Sequence, residues 1–306
     1  MTNMPSNSYS GPFQTLSENE QLLCDRLKKH VLMLAEKIGE RNIWHYSQLE
    51  SSANYIEKVL RDLGYKVTRQ EFKVEGRAVR NIEVELVGTS RPKEVVIIGA
   101  HYDSVLGSPG ANDNASGVAA VLEIARLIAR EKLSRTIRIV AFVNEEPPFF
   151  QTEDMGSRVY ASRLRKHKEQ IVAMLAIETI GYYSDVEGSQ HYPFPFSFFY
   201  PNTANFIAFV SNISSRHLVR RVIETFRKHT AFPSEGLAAP SFLTGIDWSD
   251  HWSFWKEGYP AIMVTDTALF RYKHYHTQED TSDKIDYPST ARVVTGIAQV
   301  LRFLAH

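Results

Sequence analysis

The chain has 306 residues, 43% hydrophobic and 23% charged, with 16 Gly and 13 Pro; this composition excludes collagen-like, disordered and coiled-coil chains. Lys plus Arg and Asp plus Glu number 35 each, so no net field draws the molecule onto nucleic acid or an anionic membrane, and neither is an expected partner. The single cysteine, Cys24, allows no internal disulfide and no thiolate zinc knuckle, which suits a reducing compartment and leaves any metal to His, Asp and Glu.

Residues 1–15 are rich in Ser, Asn, Pro and Gly and read as a flexible tail. They lack the basic start and apolar stretch of a signal peptide, so cytoplasmic residence is expected, with a secreted form left open. Residues 16–306 read as a single domain, with helices and an edge hairpin over 16–90 and a catalytic core over 91–306. Leu23, Leu27, Val31, Leu34 and Ile38 follow helical three-and-four steps, opened by a capping box at Ser17 and Glu20. A second helix runs from Ser47 to Leu63 and stops at Gly64. The two-residue alternation over Lys66–Val74 and Arg80–Val87 predicts an antiparallel pair at a sheet edge.

The texture changes at Val95-Val96-Ile97-Ile98-Gly99-Ala100, a β-branched run suited to a strand covered on both faces. Helix Val118–Ala129, strand Ile137–Val143, helix Arg158–Lys168 and strand Ile171–Ile177 follow, an alternation that implies right-handed crossovers and a parallel sheet. Strand Phe206–Val210, helix Ser215–His229, strand Ala261–Val264 and helix Thr290–Leu304 complete the chain. The fold class is therefore α/β: three layers around a mainly parallel central sheet with antiparallel edge strands. No apolar run approaches the ~20 residues needed to cross a bilayer.

In open parallel sheets ligands sit beyond the carboxyl ends of strands, so polar residues there are candidates for chemistry. The first such end carries His101-Tyr102-Asp103, with His101 and Asp103 on one side of an extended chain. Gly110-Ala111-Asn112-Asp113-Asn114-Ala115-Ser116-Gly117 leads into the apolar helix, Asn144-Glu145-Glu146 follows a buried strand, and Glu178 ends another. Tyr275-His276-Thr277 with Asp280 precedes the last helix. Taken singly, His101 also reads as a core histidine, Asp113 as a helix cap and the acidic pair as a solvated surface.

Taken together and in this order, these motifs resemble the M28 family of zinc aminopeptidases over roughly Val95 to the C-terminus. The resemblance implies a phosphorylase/hydrolase-like α/β fold and a site for two zinc ions, with Co or Mn feasible. It implies that Asp113 bridges the metals, that His101 and Glu178 complete one and Glu146 and His276 the other, and that the Asp113–Asn114 peptide is cis. By the same resemblance Glu145 is the general base, Asp103 steadies His101, and peptides are the substrates. Glu178 stands where Asp is more usual, and residues 147–155 enlarge a segment that is short in the family. Ser249-Asp250-His251 matches a further family segment; here Ser249 or Asp250 is expected to cap the next helix and His251 to orient it rather than bind metal. The aromatic residues Phe149, Phe150 and those between Tyr192 and Tyr200 suggest a cleft for an apolar N-terminal residue. Two rival readings keep the fold: a glutaminyl cyclase with one zinc, and a binding module without activity.

Overall fold

Ser17 opens the first helix through the reciprocal bonds its sequence predicts: its Oγ accepts the Glu20 amide at 3.3 Å, and Glu20 Oε2 accepts the Ser17 amide at 2.8 Å. In the computed structural model, which describes residues 2–306, α1 covers Glu18–Val31 and continues as a wider-wound turn over Leu32–Ile38. Helix α2, Tyr46–Asp62, leads to the hairpin β1, Thr68–Val74, and β2, Arg77–Leu86. Next come β3, Arg91–His101, α3, Gly117–Ile128, β4, Arg135–Phe142, α4, Gly156–Lys166, and β5, Gln170–Glu178. The chain ends with β6, Ile207–Asn212, α5, Arg216–His229, β7, Ser234–Ala239, α6, His251–Lys256, β8, Ala261–Thr265, and α7, Tyr287–Ala305.

One eight-stranded sheet has the order β1-β2-β4-β3-β5-β8-β6-β7. The pairs β4/β3, β3/β5, β5/β8 and β6/β7 are parallel; β1/β2, β2/β4 and β8/β6 are antiparallel. The parallel centre is as expected, and the antiparallel character sits toward both edges. Alternate residues of β3 explain the three layers. Val96, Ile98 and Ala100 join a core with α1, α3, α5 and α7, whereas Val95 and Ile97 join a second with Tyr160, Leu164 and Phe254 of α4 and α6. With β4 on one side of β3 and β5 on the other, the chain reverses its direction of winding there, and a crevice opens at the carboxyl ends of these strands. No described helix is long and apolar enough to cross a membrane.

Residues 3–14, expected as a tail, lie against the folded domain. Arg220 and Arg227 donate to the carbonyls of Asn3, Pro5 and Ser6, and Ser8 Oγ accepts the Ser234 amide at 2.8 Å. Phe13 stacks on Phe232 with ring centroids 5.5 Å apart, and Arg292 donates to the Gln14 carbonyl. The segment thus packs beside the first residue of β7, which local composition does not report.

Fully buried Glu57 on α2 accepts from Arg69 at 2.8 and 2.6 Å and from Arg80 at 2.8 Å, with Arg61 also bonded. Burial works to raise this carboxyl, but the three guanidinium groups outweigh it and hold it below its usual range. Breaking a buried ion pair costs about 3–5 kcal/mol. Arg61 and Arg69 are half-exposed and Arg80 keeps Glu50, so Glu57→Ala is expected at the lower end, about 3 kcal/mol. Urea unfolding measures it, and a loss under about 1 kcal/mol would show that the cluster adds little.

Candidate metal centre

His101 is the last residue of β3 and is fully buried. Its Nδ1 lies 3.3 Å from the Asp103 carbonyl, which leaves Nε2 directed at Asp113 Oδ1 (3.2 Å), Glu178 Oε2 (3.3 Å) and Glu145 Oε2 (3.8 Å). The Asp103 carboxylate does something the sequence did not suggest. Its two oxygens accept the amides of Glu145 and Glu146, each at 3.1 Å, while the His101 ring nitrogen stands 3.6 Å away, beyond a hydrogen bond. Asp103 therefore positions the acidic pair first and the imidazole only by proximity.

The turn over Ala111–Ser116 is tied down on every side. Asp280 accepts the amides of Asn112 and Asp113 at 2.8 and 3.1 Å and is itself held by Tyr272 Oη at 2.8 Å. Asn112 bonds Asp266 and the Gly181 amide, and Asn114 bonds the Ile177 carbonyl and the amides of Gly117 and Thr179. A side chain at Gly117 would bring its Cβ within 2.2 Å of Asn114 Oδ1, so only glycine fits where the turn enters α3. The Asp113–Asn114 peptide is cis, as the resemblance implied.

Glu145 and Glu146 follow β4 after Val143 and Asn144. Asn81 of β2 secures that exit, its Oδ1 accepting the Val143 amide at 3.1 Å and its Nδ2 donating to the Gly156 carbonyl at 2.8 Å. Glu178 ends β5 and accepts a hydrogen bond from Ser249 Oγ at 2.7 Å. Ser249 thus orients Glu178, and Asp250 stands at the N-cap of α6 without a side-chain cap bond. His251 Nε2 lies 2.8 Å from the Ile246 carbonyl, and burial pushes its imidazole down to about 4, so it belongs to the packing and not to the site. His276, stacked on Tyr275, brings Nε2 to 3.0 Å from Asp113 Oδ2 and 3.2 Å from Glu146 Oε2.

Two sets of ligand atoms result, each lying within 4.8 Å: His101, Asp113 and Glu178, and Asp113, Glu146 and His276. A third grouping joins His101 with Glu145 and Glu146. Although these atoms are close, His101 Nε2, Asp113 Oδ1, Glu146 Oε1 and His276 Nε2 have no hydrogen-bond partner of proper geometry. Buried polar atoms without partners, pointing at one another, are what a cation site leaves behind. Electrostatics agree. Burial and the Asp113 charge push Glu146 up to about 7, and burial with Glu178 and Glu146 raises Glu145 far above its usual range against the pull of His101. Burial would raise Asp113 too, yet the imidazoles of His101 and His276 hold it low. Nitrogen and carboxylate donors without thiolate fit zinc and also cobalt or manganese.

A cleft of about 100 Å³ adjoins this site, lined by Glu178 and Tyr275 and with Tyr192, Phe196, Tyr200 and Phe270 among its walls. The aromatic segment 192–200 therefore reaches the cleft. Phe149 does not; it is buried and stacks on Trp44, with ring centroids 6.3 Å apart. Asp266, which accepts from Asn112, Tyr182 and Ala268, was not singled out in the sequence. Its signal was there, an acid directly after a buried strand, the same pattern that marked Glu178.

A family model described as Peptidase family M28 matches residues 81–301. The chain belongs to this peptidase family. Uncharacterized protein YfbL of Escherichia coli is 38% identical over 286 residues, 90% of this chain and 87% of that protein. Leucine aminopeptidase 1 of Emericella nidulans is 28% identical over 285 residues, of which this chain spans 64% of the relative's length. Among solved structures, the M28 chain shares its fold with the zinc aminopeptidase BSAP of Bacillus subtilis, with a TM-score of 0.74 at 16% identity, covering 92% of this chain and 95% of that one. A glutaminyl cyclase of Fimbriiglobus ruber has the same fold, with a TM-score of 0.67 at 22% identity, covering 97% and 99%.

Proposed function

We propose that the chain is a metal-dependent aminopeptidase that hydrolyses the N-terminal peptide bond of peptides with water as the nucleophile. The observation that carries this reading is Asp113, whose Oδ1 approaches His101 and whose Oδ2 approaches His276, so that one carboxylate serves two ligand sets. His101, Asp113 and Glu178 would hold one zinc ion, and Asp113, Glu146 and His276 a second. Zinc held there would polarise the scissile carbonyl and lower the pKa of water. Glu145 Oε2 takes the proton of the attacking water and passes it to the leaving amine. The paired amide bonds to Asp103 hold Glu145 for that task and turn Glu146 into the ligand set. The first side chain of the peptide enters the cleft that begins at Glu178. The leucine aminopeptidase relative supports the reading.

Two ions per chain are expected by elemental analysis at saturation. With a chelator, hydrolysis of aminoacyl anilides should fall to background and return on adding zinc, cobalt or manganese. Retention of a single ion, with cyclisation of a Gln-initiated peptide in place of anilide hydrolysis, would overturn the reading in favour of a glutaminyl cyclase.

A further inference from the structure

The cleft crosses the sheet along one row of paired residues. Glu178 of β5 pairs with Thr265 of β8, Thr265 with Ala208 of β6, and Ala208 with Glu235 of β7. All four line the cleft, as paired side chains on a shared face should. Three inter-strand spacings of about 4.8 Å place Glu235 roughly 14 Å from Glu178. The cleft thus begins at one carboxylate, a proposed metal ligand, and meets another three strands away, with apolar and aromatic walls between.

Glu235 is half-buried, and among the described residues nothing hydrogen-bonds or ion-pairs with its carboxylate. Neither nearby arginine bonds Glu235. Arg227 donates to Ser234 Oγ, the Ser234 carbonyl and the carbonyls of Pro5 and Ser6, and acts on Glu235 only at a distance. Arg271 is buried against Phe206, bonded to Gln190 and the Phe206 carbonyl, and faces the charge of Asp266; its Nη2 is buried without a partner, and it makes no bond to Glu235. The phenols of Tyr192 and Tyr200 are both committed to carbonyls, of Pro201 and Gly236. Burial already raises the Glu235 carboxyl, and a neutral side chain filling the cleft would strip more water from it and leave it unpaired or protonated, whereas a cation would pair with it.

We propose that Glu235 sets the specificity of the cleft and that the preferred N-terminal residue is basic, Lys or Arg, with its carbon stem along the aromatic walls and its charge on the Glu235 carboxylate. This rests on the aminopeptidase reading and amends the expectation of an apolar first residue. A Lys or Arg side chain extends roughly 6–7 Å from Cα, about half of the roughly 14 Å row, and carries its charge toward the Glu235 end of the cleft. A leucine stops far short of the acid. The rings add a face that favours a cation over a neutral chain.

The test compares Lys and norleucine anilides, matched in stem and differing in charge, on wild-type enzyme and Glu235→Gln. Free lysine and norleucine are titrated into both proteins by calorimetry in parallel. A charge-assisted contact predicts a Lys-to-norleucine ratio in kcat/KM of about 10 or more for the wild type, collapsing toward about one in Glu235→Gln, with the same collapse in the ratio of Kd values. Because both readouts are ratios, partial misfolding of the variant does not mimic the result. A wild type that does not favour lysine, or a ratio that survives Glu235→Gln, overturns the proposal while anilide turnover leaves the aminopeptidase reading intact. Calorimetric discrimination that depends on Glu235, without turnover of any anilide, upholds the pocket and overturns the aminopeptidase reading instead.

Discussion

Glu145→Gln is expected to lower kcat by at least the ~10²-fold that a positioned general base supplies, with metal content and KM little changed. The substitution keeps the shape of the side chain and leaves the backbone amide of residue 145 on Asp103 Oδ1, so the neighbouring Glu146 is not displaced. What it removes is a proton acceptor. Without metal, burial and the neighbouring Glu178 and Glu146 favour the protonated form of Glu145, the wrong state for a base. A bound cation reverses that balance, because its charge is then the largest in the site. The interaction lost belongs to the transition state, so the effect should appear in kcat and not in substrate binding. Near-normal kcat would refute the assignment. Loss of an ion from this variant would mean that the roles of Glu145 and Glu146 are exchanged.

Asp113→Asn is expected to remove both ions together. Even partners that merely support a metal ligand are worth 10–100-fold in affinity, so loss of the shared carboxylate should weaken metal binding by more than about 10²-fold. Hydrolysis should then be undetectable at metal concentrations that saturate the wild type. A second readout does not need activity. Metal at about 100 times its Kd stabilises the wild type by roughly 2.7 kcal/mol, seen as a rise in Tm, and the variant should lose that rise. The backbone of the turn is held by Asp280, Asn112 and Asn114, so the variant keeps its fold and the comparison is fair. Retention of two ions by Asp113→Asn would exclude Asp113 as the shared ligand.

His101, Asp113, Glu145, Glu146, Glu178 and His276 were legible as candidates because each follows or precedes a strongly periodic element, and a buried strand ending in a bare polar group needs a reason. The spacing within each motif is local, and so is its chemistry. Their convergence was not legible from any one motif; it required the resemblance to a family, and the structure brings them to contact distance. Asp103 illustrates the limit. Its residue type and its place two positions after His101 are local facts, but its hydrogen bonds go to amides 42 and 43 residues away.

By itself the sequence determined the alternation of helix and strand, the parallel centre of the sheet and the residues that carry charge at its strand ends, because periodicity and strand burial are written in neighbouring residues. Tertiary structure alone decided the rest. Strand β7 has only six residues, three of them Ala or Gly, and its signal is too weak to see until β6 pairs with it. With that strand missed, Glu235 was missed too, the acid that shares a row with Glu178 in the cleft. The segment over residues 3–14 looked free because its own composition cannot bury a core, yet Arg220, Arg227, Phe232 and Ser234, all more than 200 residues away, supply partners for it. Of the two residues expected at the cap, Asp250 takes the N-cap position and Ser249 turns to Glu178, because β5 and the loop before α6 meet only in the folded sheet. Pairings between residues 70 or 200 positions apart depend on where strands are ordered in the sheet, and no window of sequence contains that order.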